Sequence, residues 1–279
     1  MECLEALEKQ EGAVNAEIIV VNRCGEETRE AIIKRFPWVR LQQSQDNASI
    51  PAMRTQGVLA ARGKMIAVIE DHCIVCCGWL KSVQRAYQAG HMVVGGPVNN
   101  GCVDRVVDWA AFFCEYARFM EPVTEGVVGE TPGNNSAYDR RALNLLGEGA
   151  GDEVWESFLH ERLKQKGVLF YSDPKMAVYH KKTFNFFYFI SQRYHYSRSF
   201  ASIRLGAAPW WKRVAYAGGA AVLPALLLSR IVLVVARKKR KMSLLAQTLP
   251  FICVFVLVWA AGEGAGALFG PGNSLEKVE

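Results

Sequence analysis

Two long apolar stretches near the C-terminal end constrain the fold of this chain more than any other feature. They cover 214–236 and 244–269, and each is long enough for a helix to cross the hydrocarbon core of a bilayer. The first stretch contains Arg230 and the second contains Glu263. Because a charge within a bilayer is costly, we expect these side chains to pair or to lie near the membrane interfaces. The sequence thus predicts transmembrane helices and a short tail over 214–279.

Basic residues collect beside these stretches, and the formal net charge of the chain is +6. Between 184 and 213 they alternate with aromatic residues, including Trp210 and Trp211, a composition typical of a helix in the lipid headgroup region. A second basic group, RKKRK, occupies 237–241. This pattern favours anionic membrane lipid as a partner and disfavours nucleic acid. We therefore expect an amphipathic interfacial helix over 184–213.

The N-terminal segment and the cysteines disfavour a secreted protein. MECLEALEKQ is charged and helix-like, unlike a secretory signal peptide, so the eight cysteines are expected to be reduced. Cys73 and Cys76 have C-x-x-C spacing, but no second pair at metal-binding spacing follows. We interpret Cys73, Cys76 and Cys77 as small buried side chains after a strand.

Short apolar runs alternate with helical segments over the first part of the chain. The expected strands are EIIVVN (17–22), KMIAVIE (64–70) and MVVGGPV (92–98), and the expected helices are 27–36, 51–63, 78–89 and 104–120. This alternation predicts an α/β sheet flanked by helices. The run at 64–70 is apolar on both faces, as a central parallel strand is. In such sheets, ligands bind beyond the carboxyl ends of the strands.

Acidic, amide and imidazole side chains follow the expected strands at four places. These are Glu70-Asp71-His72, the loop Gly133-Asn134-Asn135-Ser136, Trp155-Glu156 at the start of a helix, and His180 at the end of a strand. Carboxylate and imidazole groups can hold a divalent cation, and a positioned carboxylate can act as a general base. The four places together predict one functional site.

Four motifs in a fixed order carry a resemblance to a known family. They are AARGKMIAVIEDH at 60–72, GNNSAYDRRAL at 133–143, VWESFLHERL at 154–163 and VYH at 178–180. Over roughly 17–200 the chain resembles the family 2 glycosyltransferases of the GT-A fold, the inverting nucleotide-sugar enzymes. The resemblance implies a GT-A-like catalytic domain over 1–183, with a mixed, mainly parallel sheet flanked by helices.

The resemblance also implies a metal-assisted donor site. His72 stands at the metal position of the family's Asp-x-Asp motif, and we expect His72, His180 and Asp71 to be the metal ligands. Glu70, Asp71 and Asn22 are expected to bind the donor. Nitrogen ligands shift the preference from Mg²⁺ toward Mn²⁺, and the cation would neutralise the leaving diphosphate.

The same resemblance assigns the acid–base chemistry. Glu156 aligns with the family's catalytic base, because Arg162 and Leu163 fall where the family helix has its Arg-Leu pair. Asp152 and Glu153 are alternatives for that role. Gly133, Asn134, Asn135 and Trp155 are expected to line the acceptor side.

Several departures from the family pattern keep alternatives open. The family begins with a strand that forms the nucleotide-base pocket, whereas CLEALEKQ (3–10) resembles the helix that follows it, so we expect an incomplete gene model. Asn22 replaces a common Asp, and Trp155 replaces an acidic residue. A non-catalytic membrane protein that has lost donor binding is therefore one alternative. A metal-dependent nucleotidyltransferase is another, and the Glu156 helix and His180 disfavour it.

The resulting hypothesis is a membrane-anchored hexosyltransferase that moves a sugar, with inversion, from a UDP- or GDP-sugar to a glycan or lipid-linked hydroxyl acceptor. Nucleotide sugars are cytoplasmic, so the catalytic domain is expected on the cytoplasmic side of the cell membrane. A simple helical hairpin would then place 237–241 outside, against the positive-inside tendency. A re-entrant first segment that turns at Pro224 is the alternative.

Overall fold

The structure, a computed structural model, describes residues 1–10, 16–147 and 155–278. It divides into two compact units. The first comprises Met1–Asn99 and Phe119–Lys181, and the second comprises Asn100–Arg118 and Lys182–Glu279. The sequence did not indicate that 100–118 belongs with the C-terminal unit, because an amphipathic helix at that point fits the α/β alternation equally well.

The helices expected at 27–36, 51–63, 78–89 and 104–120 are present, with ends that differ by a few residues, and the described residues form eleven α-helices. They are α1 Glu2–Glu8, α2 Glu26–Arg35, α3 Ile50–Ala60, α4 Trp79–Gln88, α5 Val106–Tyr116, α6 Arg140–Asn144, α7 Glu156–Gln165, α8 Phe186–Leu205, α9 Trp210–Gly219, α10 Leu223–Lys238 and α11 Met242–Phe269. Helix α3 begins with a Ser49 side chain that accepts a hydrogen bond from the amide of Ala52, and Pro51 lies in its first turn.

The described strands are short, with three to five residues each. They are β1 Ile19–Asn22, β2 Arg40–Gln43, β3 Met65–Ile69, β4 Cys73–Val75, β5 Val93–Gly95, β6 Val98–Asn100, β7 Gly126–Val128, β8 Asn135–Asp139, β9 Phe170–Ser172 and β10 Val178–His180. The run at 92–98, expected as one strand, is split at Gly96-Pro97. Proline lacks the amide hydrogen that a ladder needs, and a Cβ at Gly96 would overlap the backbone carbonyl of Met176.

Within the described residues the strands form three sheets, ordered β1-β2, β4-β10-β6 and β3-β8-β5-β9-β7. Sheets flanked by helices confirm the mixed α/β class. The expectation that 64–70 is a central parallel strand is wrong in position and in direction, because among the described residues β3 lies at the edge of its sheet and pairs antiparallel with β8. In the five-stranded sheet β5 and β9 pair parallel and the other described pairings are antiparallel, so this sheet is mainly antiparallel and not mainly parallel as expected. An apolar run indicates burial but does not indicate the direction of neighbouring strands.

The core of the first unit holds helix α7 in place. Buried Ile66, Val93, Tyr138 and Phe170 from the five-stranded sheet form one cluster with Leu163 of α7. The Tyr138 hydroxyl and Nε2 of His160 are 2.7 Å apart within this buried layer. Since His160 lies one turn after Glu156, this contact fixes the helix that begins with the expected base.

The second unit is helical. Helix α8 ends at Gly206, where φ is +46°, and Pro209 precedes α9, so the segment 184–213 is two helices and not one. Helix α11 packs along α8, with 4.6 Å between the ring centroids of Phe189 and Phe255 and the Arg193 guanidinium 4.0 Å from the Trp259 ring centroid.

Two helical stretches among the described residues are long and apolar enough to cross a membrane, Trp210–Lys238 and Met242–Phe269. The first is continuous through a 3-10 turn at Ala220–Val222, so the chain does not reverse at Pro224 as the re-entrant alternative requires. Glu263, for which Arg230 was an expected partner, accepts hydrogen bonds from the Tyr216 hydroxyl at 2.5 Å and Trp259 Nε1 at 2.6 Å.

Close packing of α11 on α8 leads to a testable prediction. A Cβ at Gly266 would overlap the backbone carbonyl of Arg198, whereas a Cβ at Gly264 would make an ordinary 4.0 Å contact with Ala220. Gly266→Ala is therefore expected to destabilise the second unit by about 1–3 kcal/mol, as overpacking does. Gly264→Ala is the matched control and is expected to leave stability unchanged or to raise it slightly. Thermal unfolding of the detergent-solubilised variants measures both, and equal melting temperatures would contradict the close packing.

Candidate active site

Three side chains with metal-ligating atoms meet at the end of β3, the start of β4 and the end of β10. Glu70 follows β3, His72 precedes β4, and His180 ends β10 opposite Cys73 in the antiparallel β4–β10 ladder. Nε2 of His72 lies 2.9 Å from Nε2 of His180 and 3.2 Å from Oε2 of Glu70. Possible ligand atoms of the three residues all lie within 4.8 Å of one another.

Asp71, an expected ligand, lies outside this cluster. Its side chain is 97% exposed, and its Oδ1 is 2.9 Å from Nδ1 of His72. Residues 70–73 form a tight turn, in which the amide of Cys73 donates to the carbonyl of Glu70 at 2.9 Å. This turn leaves the Asp71 side chain in solvent, whereas the side chains of Glu70 and His72 lie in the cluster. Glu70, expected at the donor, takes the place that Asp71 was expected to occupy.

The carboxylates and imidazoles of the cluster stabilise each other's charges. Burial opposes ionisation of Glu70, but the hydrogen bond with His72 and the charge of Arg54 outweigh it and hold the pKa of Glu70 well below its usual range. Burial likewise opposes protonation of His72, but its hydrogen bonds with Asp71 and Glu70 raise the pKa of His72 to about 9. The cluster is thus an ion-paired group that a divalent cation would enter in place of the imidazolium proton.

The residues present fit a divalent cation. Two imidazole nitrogens and one carboxylate oxygen are a donor set suited to first-row transition ions. The contact between Asp71 and Nδ1 of His72 directs Nε2 of that ring into the cluster, as outer carboxylates do in known metal sites. Asn134 lies beside the cluster, with its Nδ2 3.4 Å from Oε2 of Glu70. Its Oδ1 is buried and has no hydrogen-bond partner among the described residues.

The expected base lies against the glycine loop. Glu156 is the first residue of α7 and follows Trp155, which is buried. A Cβ at Gly133 would overlap the Glu156 side chain, so only glycine allows the loop backbone to approach this carboxylate so closely. About a quarter of the Glu156 side chain is exposed, which leaves it open to an acceptor hydroxyl. The alternatives Asp152 and Glu153 lie outside the described residues.

Arg54 joins the two parts of the site, and sequence reasoning missed it. Its Nη2 is 2.7 Å from Oε1 of Glu70, and its Nη1 forms an ion pair with Oε2 of Glu156. Arg54 is the one charged residue of α3, whose helix leads directly into β3. A lone cation on the helix before an acidic strand end is the signal that could have identified it.

Two other expected site residues have local roles. Asn135 is fully buried, where it donates to the carbonyls of Pro97 and Met176 and accepts from Trp79. Asn22 ends β1, where its amide contacts Cys24 and Gln43. These hydrogen bonds of Asn135 and Asn22 hold backbone and strand ends together, and neither side chain makes them with Glu70 or Glu156.

Comparison with solved structures agrees with this fold. The mannosyltransferase PcManGT from Pyrobaculum calidifontis, described in complex with GDP-Man and Mn²⁺, has a TM-score of 0.54 and 16% identity, covering 94% of this chain and 82% of its own. TarS 1–349 from S. aureus has a TM-score of 0.48 and 15% identity, and the match covers 95% of this chain and 86% of the TarS chain. The first likeness shows the shared fold. No curated protein matches the sequence significantly.

A family comparison identifies the chain more directly. The model of glycosyl transferase family 2 matches residues 1–147, which is more than half of the 279 residues. The match includes the strand end at 70–72 and the loop at 133–136, two of the motifs on which the resemblance depended. The chain therefore belongs to glycosyl transferase family 2 and is a glycosyltransferase.

Proposed function

We propose that this glycosyltransferase is membrane-associated and transfers a sugar from a nucleotide-sugar donor to a hydroxyl acceptor, with inversion and with the help of a divalent cation. The observation that carries the proposal is the bridge of Arg54 between Glu70 and Glu156. It places the expected base beside the group of Glu70, His72 and His180. A base next to a candidate diphosphate site is what a single displacement at a sugar requires.

Each residue of the candidate site has a separate proposed role in sugar transfer. Glu70, His72 and His180 would hold the cation, which when bound neutralises the charge that develops on the leaving diphosphate. Glu156 takes the proton of the acceptor hydroxyl as its oxygen attacks the anomeric carbon. The bond to the diphosphate breaks on the opposite face of the sugar, so a single displacement inverts the configuration. Arg54 orients the Glu156 carboxylate and keeps its position relative to Glu70.

The donor and cation are proposed on chemical grounds. Two imidazole ligands favour Mn²⁺ over Mg²⁺. The structurally similar mannosyltransferase was described with GDP-Man and Mn²⁺, which supports a UDP- or GDP-sugar as donor here. A glycan or lipid-linked hydroxyl compound is the proposed acceptor, and the catalytic domain is proposed to face the cytoplasm, where nucleotide sugars are found.

Calorimetric titration of the detergent-solubilised protein tests the donor site. UDP and GDP are titrated with and without Mn²⁺, and one of them is expected to bind only when Mn²⁺ is present. His72→Ala and His180→Ala are expected to weaken this binding by at least about 10–100-fold, the effect of losing even an outer partner of a metal site. His91→Ala, which removes an imidazole stacked on Tyr171, is the control. Nucleotide binding that does not depend on Mn²⁺ and is unchanged in the two variants would overturn the metal assignment. No detectable binding of either UDP or GDP would overturn the donor assignment.

A further inference from the structure

Helices α9, α10 and α11 of the second unit expose many large apolar side chains. On these three helices and the turn between α9 and α10 they are Trp210, Trp211, Val214, Val222, Leu226, Leu233, Met242, Leu257, Leu268 and Phe269. We call this set the apolar face. An exposed apolar surface of this extent marks a binding site for a membrane or another protein.

Helix α8 packs on α11 through aromatic side chains, with Phe189 against Phe255 and Tyr196 against Trp259. Phe187 at the start of α8 is exposed.

The chain after α11 folds back over α8 and makes polar contacts with it. Arg198 Nε donates to the carbonyl of Gly270 at 3.0 Å, His195 Nδ1 is 3.1 Å from Ser274 Oγ, and Gln192 Nε2 donates to the carbonyl of Lys277 at 3.0 Å. We call α8 with 270–278 the polar face.

Charged residues of the polar face lie level with the middle of α11. Gln192, which binds the backbone of Lys277, is adjacent to Arg193, whose guanidinium stacks on Trp259 of α11. Glu276 and Lys277 are exposed at this level. If α11 crossed a bilayer, these two charges would lie at depth in the hydrocarbon, where ionisable groups are costly unless they face protein or water.

Basic residues stand at both ends of the apolar helices. Lys212 and Arg213 lie at the start of α9, and 237–241 forms the turn from α10 to α11. Arg213 and Arg237 lie 24 positions apart in one helical stretch, a separation of about 36 Å at 1.5 Å per residue. The sequence has no Asp or Glu between Asp173 and Glu263. An orientation in the membrane plane places both basic groups at one layer of anionic headgroups, whereas a spanning orientation separates them.

The turn at 237–241 also lies near the points where the chain enters this unit. Lys241 lies over the ring of Trp109, 5.0 Å from its centroid, and Arg105 donates to the carbonyl of Phe184 at 2.9 Å in the same region. Helix α8 packs along α11, so a spanning hairpin of the two apolar stretches would carry α8 with it into the bilayer.

We propose that the second unit binds an anionic phospholipid surface with its helices in the plane of one leaflet. The apolar face enters the hydrocarbon, the two basic groups contact headgroups, and the polar face stays in water. This inference rests on the membrane association in the proposed function and specifies its geometry. A spanning hairpin and a second copy of the chain against the apolar face are the competing arrangements.

Cysteine accessibility in the full-length protein distinguishes these arrangements. Ala207→Cys and Lys239→Cys mark the two ends, Glu276→Cys marks the polar face, and Leu257→Cys marks the apolar face. Each variant is produced in bacterial cells and treated with a membrane-impermeant maleimide, in intact spheroplasts and in inverted inner-membrane vesicles. Peptide mass spectrometry separates the introduced sites from the eight native cysteines.

We expect Ala207→Cys, Lys239→Cys and Glu276→Cys to be labelled in inverted vesicles and not in spheroplasts. Leu257→Cys should be protected in both until the lipid is dissolved. Labelling of the two ends from opposite sides would show a spanning hairpin and overturn the proposal, as would protection of Glu276→Cys in both preparations. Recovery of the protein in the soluble fraction would overturn membrane association itself. Labelling needs no catalysis, so a failure of sugar transfer leaves this test unaffected.

Discussion

Glu156→Gln is expected to lower kcat/KM for sugar transfer by about 10²–10⁴-fold, the usual contribution of a general base. The amide keeps the size of the side chain and its place against Gly133, but it cannot accept the proton of the acceptor hydroxyl. Nucleotide binding should be retained, because Glu70, His72 and His180 are unchanged. The measurement is initial-rate kinetics beside calorimetric titration with UDP and GDP.

A matched control exists on the same helix. Glu161 is an exposed carboxylate of α7, and Glu161→Gln removes the same charge from the same element away from the Arg54 bridge. It is expected to leave kcat/KM within the range of the unaltered protein. Full activity of Glu156→Gln would show that another carboxylate is the base, with Asp152 and Glu153 the nearest in sequence.

The fold was predictable where short apolar runs favour strands. The runs at 17–22 and 64–70 predicted strands β1 and β3, because β-branched and aliphatic residues favour extended backbone. The same pattern does not indicate which strand pairs with each side of a predicted strand. The antiparallel position of β8 beside β3 depends on contacts between residues about 70 apart, which no local pattern describes.

The candidate site was predictable only in part. His72, His180 and Glu156 were predicted from motifs at ends of strands and helices, and His72 and His180 do meet. That Glu70 and not Asp71 lies beside them depends on the turn at 70–73, which the apolar run before it does not describe. The bridge made by Arg54 did not follow from the sequence either, because it requires a helix and two carboxylates from separate elements to converge.

The membrane segments illustrate a different limit. Hydropathy identifies α10 and α11 as long and apolar, but it does not report what packs beside them. Helix α8 covers one side of α11, and the chain at 270–278 makes hydrogen bonds to polar side chains of α8. In the orientation proposed above, these polar groups stay in water. Length and hydropathy are therefore insufficient to distinguish a spanning helix from one that lies in the interface.

Arg54→Gln is expected to lower kcat by about 10²-fold, because a shift of about 1 Å in a catalytic group has a cost of this size. The guanidinium contacts Glu70 and Glu156 with different nitrogens, and its loss leaves two carboxylates without the cation between them. Arg54→Lys keeps the charge but cannot make the same two-point contact, so it should restore activity only partly. Arg29→Gln, which removes an exposed partner of Glu26 on α2, is the control and should have no effect.

The pH profile of Arg54→Gln separates an electrostatic role from a structural one. The charge of Arg54 is among the causes that lower the pKa of Glu70, so its removal raises that pKa toward the usual range. Since protonation of Glu70 would weaken the site, the acidic limb of the kcat/KM profile should move to higher pH in Arg54→Gln and return in Arg54→Lys. A loss of activity with an unmoved acidic limb would show that Arg54 acts by packing alone. Unchanged kinetics would show that the bridge has no role in the reaction.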